Sequence, residues 1–380
     1  MDRIGLYIHI PFCRSKCPYC AFVSSPCQDS DPPEIYLDAL RKQVDVLSAH
    51  PWCREQSFAT LFVGGGTPTI YSGAQLAGLV KHCLTQFPFI DNPEVSVETN
   101  PNTVSAGKFA LLREAGVNRL SIGVQSFADT LLTAAGRSHS AAEAISAVEQ
   151  ARNTGFDNIN LDFIYGLPRQ TVSDLRQTLE VAVSLHPEHI ALYEMTIEPD
   201  TPFARMTDND KLSLPGQDEV AEMEESAQDQ LKASGYGRYE ISNYARPGRE
   251  CRHNINYWQN GSYLGLGASA VSCFDGFRVV NVADHQQYVR CVQQDVMPFD
   301  NGEGLSVEAG FRESVITGLR MTAGVSVTKL RQRYGLDPQE YYGKVIAGFV
   351  KQDMLFFDGD MMRLTEKSFP VANQVLAALV

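Results

Sequence analysis

Over its first two hundred residues the chain alternates short β-rich runs with amphipathic helical stretches, and few folds accommodate that pattern. Strands are expected at residues 5–10, 59–63, 94–98, 119–125, 158–164 and 190–195. After the second run Leu76, Leu79, Val80, Cys83, Leu84 and Phe87 recur at helical spacing, with Ser72 placed to cap the helix start. Gly116 suits the left-handed residue that closes another helix. Repeated strand-helix units imply a parallel sheet with right-handed crossovers, and about 200 residues is short for eight units. The expectation is an α/β fold with a six-unit partial (β/α) barrel, in which chemistry collects at the C-terminal ends of the strands.

Directly after the first strand comes Cys13-Arg-Ser-Lys-Cys17-Pro-Tyr-Cys20. Positions 13, 17 and 20 also fit one face of a helix, but Pro18 inside it and Pro11 before it favour a loop. Three thiolates converging in a loop form a metal site. Zinc wants four ligands, commonly from paired knuckles, and no second Cys-x-x-Cys exists, although His9 or Cys27 could supply a fourth. Three cysteines on a cubane leave one iron open, and the spacing favours iron-sulfur over zinc. Cys27, Cys53, Cys83, Cys251, Cys273 and Cys291 are scattered and read as small apolar residues or free thiols.

Strand alternation sets Glu98 apart from Val95 and Val97, and Gln125 apart from Ile122 and Val124; with Asp162 they send polar side chains to one end of the sheet. Gly64-Gly65-Gly66-Thr67 follows the second strand and allows close backbone approach, without the Gly-Lys-Ser/Thr ending of a phosphate loop. Tyr7-Ile-His-Ile-Pro-Phe-Cys-x3-Cys-Pro-Tyr-Cys, followed by Gly64-Gly-Gly-Thr-Pro-Thr, resembles the radical S-adenosylmethionine (SAM) enzymes related to oxygen-independent coproporphyrinogen III oxidase. The resemblance covers nearly the whole chain. It implies a 4Fe-4S cluster on Cys13, Cys17 and Cys20, with SAM chelating the open iron and yielding a 5'-deoxyadenosyl radical on reduction. It implies SAM contacts from Tyr7, Gly65, Gly66, Thr67, Glu98, Gln125, Arg137 and Asp162, with Tyr19 beside the adenine. Arg137 on its own reads as a surface arginine.

Two departures separate this sequence from the oxidase pattern. Phe22 stands where the oxidase carries a fourth cysteine, and the oxidase's N-terminal extension is expected to be absent. Both resemble the heme-chaperone branch of the superfamily, as does Arg252-His253-Asn254-Ile255-Asn256-Tyr257-Trp258, which matches a His-Asn-x-x-Tyr-Trp heme motif. The resemblance implies heme held by His253, Asn254, Tyr257 and Trp258, and delivery to recipient hemoproteins, membrane respiratory enzymes among them. Arg246, Arg249 and Arg252 are candidates for the propionates. The alternative is oxidative decarboxylation of coproporphyrinogen III.

Three units are expected: a radical SAM core at 1–205, an accessory segment with the heme motif at 206–300, and a winged-helix-like module at 301–380. The accessory unit contains an acidic helix face within 208–230 and a Tyr-, Asn- and Gly-rich stretch over 235–275. The last unit reads as helices at 311–321, 326–334 and 339–353 and a hairpin around Asp358-Gly359. Its nine basic and nine acidic residues, and the net charge of -13 for the whole chain, argue against nucleic acid as a partner. With no apolar run long enough for a bilayer and no leader-like start, a cytoplasmic protein without a transmembrane segment is expected.

Overall fold

All six expected strands form, with β1 at Arg3–Ile10, β2 at Ser57–Gly65, β3 at Phe89–Thr99, β4 at Arg119–Gln125, β5 at Ile159–Tyr165 and β6 at His189–Glu194. They lie side by side in chain order, each parallel to the next. The computed structural model describes residues 3–27, 32–209, 211–274 and 276–380. Asp210 of the acidic stretch, Asp275 at the end of the Tyr-rich stretch and the first two residues lie outside these.

The sheet continues past both edges. Beyond β6 run β7 (Gly237–Arg238) and β8 (Asn243–Ala245), with β8 antiparallel to β6 and to β7. Beyond β1 run β9 (Tyr263–Leu266), parallel to it, and then β10 (Val271–Phe274), β11 (Phe277–Asn281) and β12 (Phe299–Gly304), each antiparallel to its neighbour. Among the described residues the result is a twelve-stranded open sheet with no barrel closure. Strands from residues 237–304 therefore hydrogen-bond into the same sheet as the first six.

Two-residue alternation divides the sheet into unlike faces. Leu61, Val63, Val95, Val97, Leu120, Ile122, Leu161 and Phe163 are fully buried and share one core with Leu76, Leu79, Phe109, Leu112, Val148, Leu175 and Leu179 of the covering helices. Each such side chain contributes roughly 1.5–3 kcal/mol, so this side carries the stability. The opposite face is polar. Across it, register aligns Tyr7 with Phe62, Ser96 and Arg119 in one row. Glu98, Ser121, Asn160 and His189 form the next row, with Gly123 and Asp162 beyond.

Helix ends follow local chemistry. Ser72 and Gln75 form a reciprocal capping box, as do Ser140 with Glu143 and Thr171 with Asp174. The acidic helix Gln217–Ala233 buries Met223, Ala227 and Leu231 and exposes its charged face. A second core, built from Phe311, Val315, Leu330, Ile346, Leu355, Met362 and Val375, holds the C-terminal helices and the three-stranded sheet of Val325–Ser326, Leu355–Asp358 and Met361–Leu364. The single helix expected at 339–353 is two, Pro338–Tyr342 and Lys344–Lys351, because Gly343 adopts a positive φ of 46° between them. No helix among the described residues is long and apolar enough to cross a membrane.

Candidate functional site

A cavity of about 490 Å³ opens at the C-terminal end of the parallel strands, under the cysteine loop. Cys13, Cys17 and Cys20 line it together with Tyr19, Gly65, Gly66, Thr67, Glu98, Gln125, Arg137 and Asp162. The loop is not helical, and all three thiols are free. Among the described residues no three His, Cys, Asp or Glu side chains are grouped closely enough to share a single ion. His9, the possible zinc ligand, has both ring nitrogens engaged: Nε2 donates to the Val23 carbonyl at 3.1 Å, and Nδ1 accepts from the Tyr7 hydroxyl at 3.0 Å. The Thr67 hydroxyl and the Arg137 guanidinium each donate to a thiol, on Cys13 and Cys17 respectively, at 3.5 Å. A thiolate set with charged and hydrogen-bond donors against its sulfurs fits an iron-sulfur cluster.

The glycines serve the protein's own packing first. A Cβ on Gly64 would stand 2.8 Å from the Glu98 carboxyl, and one on Gly66 would meet the Phe12 carbonyl at 2.6 Å. Gly65 has φ +110°, and its N–H donates to Glu98 Oε2 at 3.0 Å. The run thus brings β2 against Glu98 and the cluster loop, rather than only leaving room for a ligand. Burial, and then the nearby Asp162, push the Glu98 carboxyl up to about 7. Asp162 is also raised by burial, although it accepts from Ser121 Oγ at 2.9 Å and Asn160 Nδ2 at 2.7 Å. Gln125 ends β4 with φ +70°, an unusual conformation for a non-glycine residue, where β4 slips register against β5.

Arg137 departs from its surface reading. Gly136, at φ +68°, packs on Pro18 of the cluster loop, and the following guanidinium turns inward to donate to the Gly123 carbonyl at 2.8 Å as well as to Cys17. Nothing local in the sequence announces this, because the Gly136–Pro18 contact joins distant segments.

The heme-motif residues lie elsewhere. Helix Arg252–Trp258 sits against the polar face near the N-terminal ends of β1 to β3, where buried Glu94 accepts from the N–H groups of Arg252 and His253. His253 is 1% exposed and stacks on Phe62. Its Nδ1 is hydrogen-bonded to Thr60 Oγ1 at 2.7 Å and its Nε2 to the Tyr257 hydroxyl at 3.0 Å. Burial, then Arg119, push its pKa down to about 3, so the imidazole is neutral and both nitrogens are occupied. In this conformation it has no nitrogen free for an iron. His253, Asn254 and Tyr257 line a second cavity, whereas Trp258 lies under the Arg320 guanidinium. The three arginines are also engaged: Arg246 with Pro187 and Tyr236, Arg249 with Asp157, and Arg252 with the Asn92 and Ala59 carbonyls.

A polar set deeper on the same face went unread in the sequence: Glu94, Arg119, Ser121 and His189. The alternation Arg119-Leu-Ser121-Ile-Gly123-Val-Gln125 carried the signal, since every second residue of a strand shares its face.

A cysteine loop over the C-terminal ends of an open parallel sheet is the architecture of a radical SAM protein, and the sequence model of the Radical SAM superfamily matches residues 7–182. That of the HemN C-terminal domain matches residues 305–371. Heme chaperone HemW of Bacillus subtilis is 36% identical over 98% of both chains, and HemW of Escherichia coli is 40% identical over 71% of this chain and 70% of its own. The structure of coproporphyrinogen III oxidase (HemN) from Escherichia coli superposes with a TM-score of 0.87 at 25% identity, covering all of this chain and 90% of that one. The chain belongs to the HemW family. Membership of the superfamily implies a 4Fe-4S cluster and SAM.

Proposed function

We propose that this protein binds heme and hands it to hemoproteins, respiratory enzymes of the membrane among them, from the cytoplasm. The reading rests on the kinship to HemW proteins along the whole chain. It is supported by Phe22, which replaces the cysteine of the oxidase pattern and is 70% exposed beside the cluster loop. Cys13, Cys17 and Cys20 hold the 4Fe-4S cluster. Tyr19, Gly65, Gly66, Thr67, Glu98, Gln125, Arg137 and Asp162 hold SAM, with Tyr7 contributing from the wall of the second cavity, where the structure has it hydrogen-bonded to His9; the carboxylates accept from the amino and hydroxyl groups of SAM, and Arg137 balances the thiolate charge. When bound, cluster and SAM supply reductive cleavage of a carbon-sulfur bond. Heme is taken by His253, Asn254, Tyr257 and Trp258, after the imidazole is released from Thr60. The three units 1–205, 206–300 and 301–380 divide this work between cofactors, heme and docking.

An anaerobic titration of the reconstituted protein with heme, followed at the Soret band, tests the reading. Binding of one equivalent by the wild type, and its loss in His253→Ala, is the expected result. A variant that binds heme with an unchanged spectrum removes His253 from the site. The superposition on HemN favours a second reading, oxidation of coproporphyrinogen III. Stoichiometric conversion of that porphyrinogen in the presence of SAM and reductant would replace the chaperone proposal.

A further inference from the structure

Below the cluster cavity lies a second chamber of about 290 Å³, and Glu98, Ser121, Asp162 and Tyr193 line both. The two spaces therefore adjoin across a shared wall of side chains at the middle of the sheet. At this volume the chamber falls at the small end of the range of about 300–1,000 Å³ found for ligand sites.

Most polar groups in its wall are paired. His189 donates to Asn160 Oδ1 at 2.6 Å and accepts from the Tyr239 hydroxyl at 2.8 Å. Asn160 donates to Ser121 and Asp162, and His253 is held between Thr60 and Tyr257. Arg119 differs. It is 2% exposed, among the largest fully buried side chains, and lines the chamber. Among the described residues its guanidinium takes part in no hydrogen bond and no ion pair, and Nε is buried without a partner. Glu94 and Asp162 are near enough to favour its charge, but Glu94 is committed to the backbone N–H groups of Arg252 and His253, and Asp162 to Ser121 and Asn160. The charge is thus favoured by its surroundings while the donors stay unpaired, and a buried donor without an acceptor in a cavity wall is a place for a ligand's acceptor.

We propose that this chamber is a receptor for a small carboxylate, entering from the cluster cavity and anchored on the Arg119 guanidinium, which grips carboxylates with two parallel hydrogen bonds. The shared wall gives the ligand a second pole. Glu98 and Asp162, free for this role when SAM is not on them, face it with no cation within ion-pair distance among the described residues, Arg119 favouring their charge from farther off, and Phe62, Tyr193 and Tyr257 supply apolar surface. A free α-amino acid meets both poles, with its carboxylate on Arg119 and its ammonium toward the two acids. Methionine, the amino acid that SAM releases on cleavage, has this chemistry. The other source of a carboxylate is a propionate arm of a tetrapyrrole, and that arm alone rests on the heme reading above.

The experiment compares the reconstituted full chain with Arg119→Gln and Arg119→Lys. Thermal unfolding is followed during titration with L-methionine and with sodium acetate. Heme and heme dimethyl ester are titrated separately at the Soret band. A saturable rise in Tm with L-methionine, weakened about 10-fold or more in Arg119→Gln and partly restored in Arg119→Lys, is expected. The ligand-free Arg119→Gln protein is expected to unfold below wild type, because Glu94 and Asp162 lose a nearby positive charge, so the ligand-induced rise in Tm is read against each protein's own baseline. If heme, but not its dimethyl ester, shows the same dependence on Arg119 while L-methionine shifts nothing, the carboxylate is a propionate. If neither heme nor its ester binds, the heme reading fails and the methionine and acetate titrations still decide the chamber. No Arg119-dependent binding of any carboxylate, whatever the Tm of the ligand-free variant, would make Arg119 a structural counter-charge and overturn the proposal.

Discussion

Glu98 joins opposing demands on one carboxyl. It accepts the Gly65 N–H, yet burial and Asp162 raise its pKa to about 7 from an ordinary 4.5. The unfolded chain therefore releases this proton first as pH rises, and the native state loses stability progressively between about pH 4.5 and 7, up to roughly 3 kcal/mol. Glu98→Gln carries no such penalty. In urea unfolding of cofactor-free protein the variant is expected to match wild type near pH 4.5 and exceed it at pH 8, while SAM binding weakens. An equal gap at both pH values would show that the carboxyl is not held protonated. Glu98 was legible because two valines on the same strand fix which face it takes. Arg119 sits on the same face by the same rule, but an arginine opening a strand gives no sign that a sheet neighbour and a helix from residue 252 will seal it from water.

At the level of elements, the cluster loop is held by contacts that the sequence spacing does not carry. Pro18 lies on Gly136, Phe203 donates its N–H to the Pro18 carbonyl at 3.0 Å, and Cys27 donates to the Cys13 carbonyl at 2.7 Å. Gly136→Ala adds a methyl group against Pro18 at a positive φ, a strain of about 1 kcal/mol or more. The expected outcome is a folded protein whose Arg137 and loop are displaced. It should reconstitute with visibly less iron-sulfur absorbance than wild type at equal iron and sulfide, and its far-UV circular dichroism should be unchanged. Full cluster occupancy would separate the Gly136–Pro18 contact from loop placement. The six parallel strands were readable because each has its own apolar run and bounding turns. The edge strands were not, since β7 and β8 have only two and three residues and join the sheet through the distant pairing of β8 with β6.

Across the whole molecule the helix Arg252–Trp258 is the piece that touches everything. Its first N–H groups are held by Glu94 of the sheet, His253 enters the polar face, and Trp258 lies under Arg320 of the C-terminal unit. Just after it, Asn260 donates to Ser314 Oγ at 3.0 Å and receives a hydrogen bond from Arg333 at 2.8 Å. The motif was legible as a string, but its burial was not, because the sheet that covers it comes from residues far earlier in the chain. Tyr257 rides on the same helix as His253, so the nitrogen that movement of this helix frees for heme iron is Nδ1, released from Thr60 of the sheet, and the C-terminal contacts then move with it. Amide hydrogen exchange in Arg252–Trp258 and in the helix Val307–Gly318 is therefore expected to speed up together on heme addition. Trp258 fluorescence should shift to the red as it loses Arg320, a change absent in His253→Ala. Heme bound at full occupancy with both helices still protected would mean that the iron is ligated outside this motif, leaving His253 as a fixed part of the chamber wall.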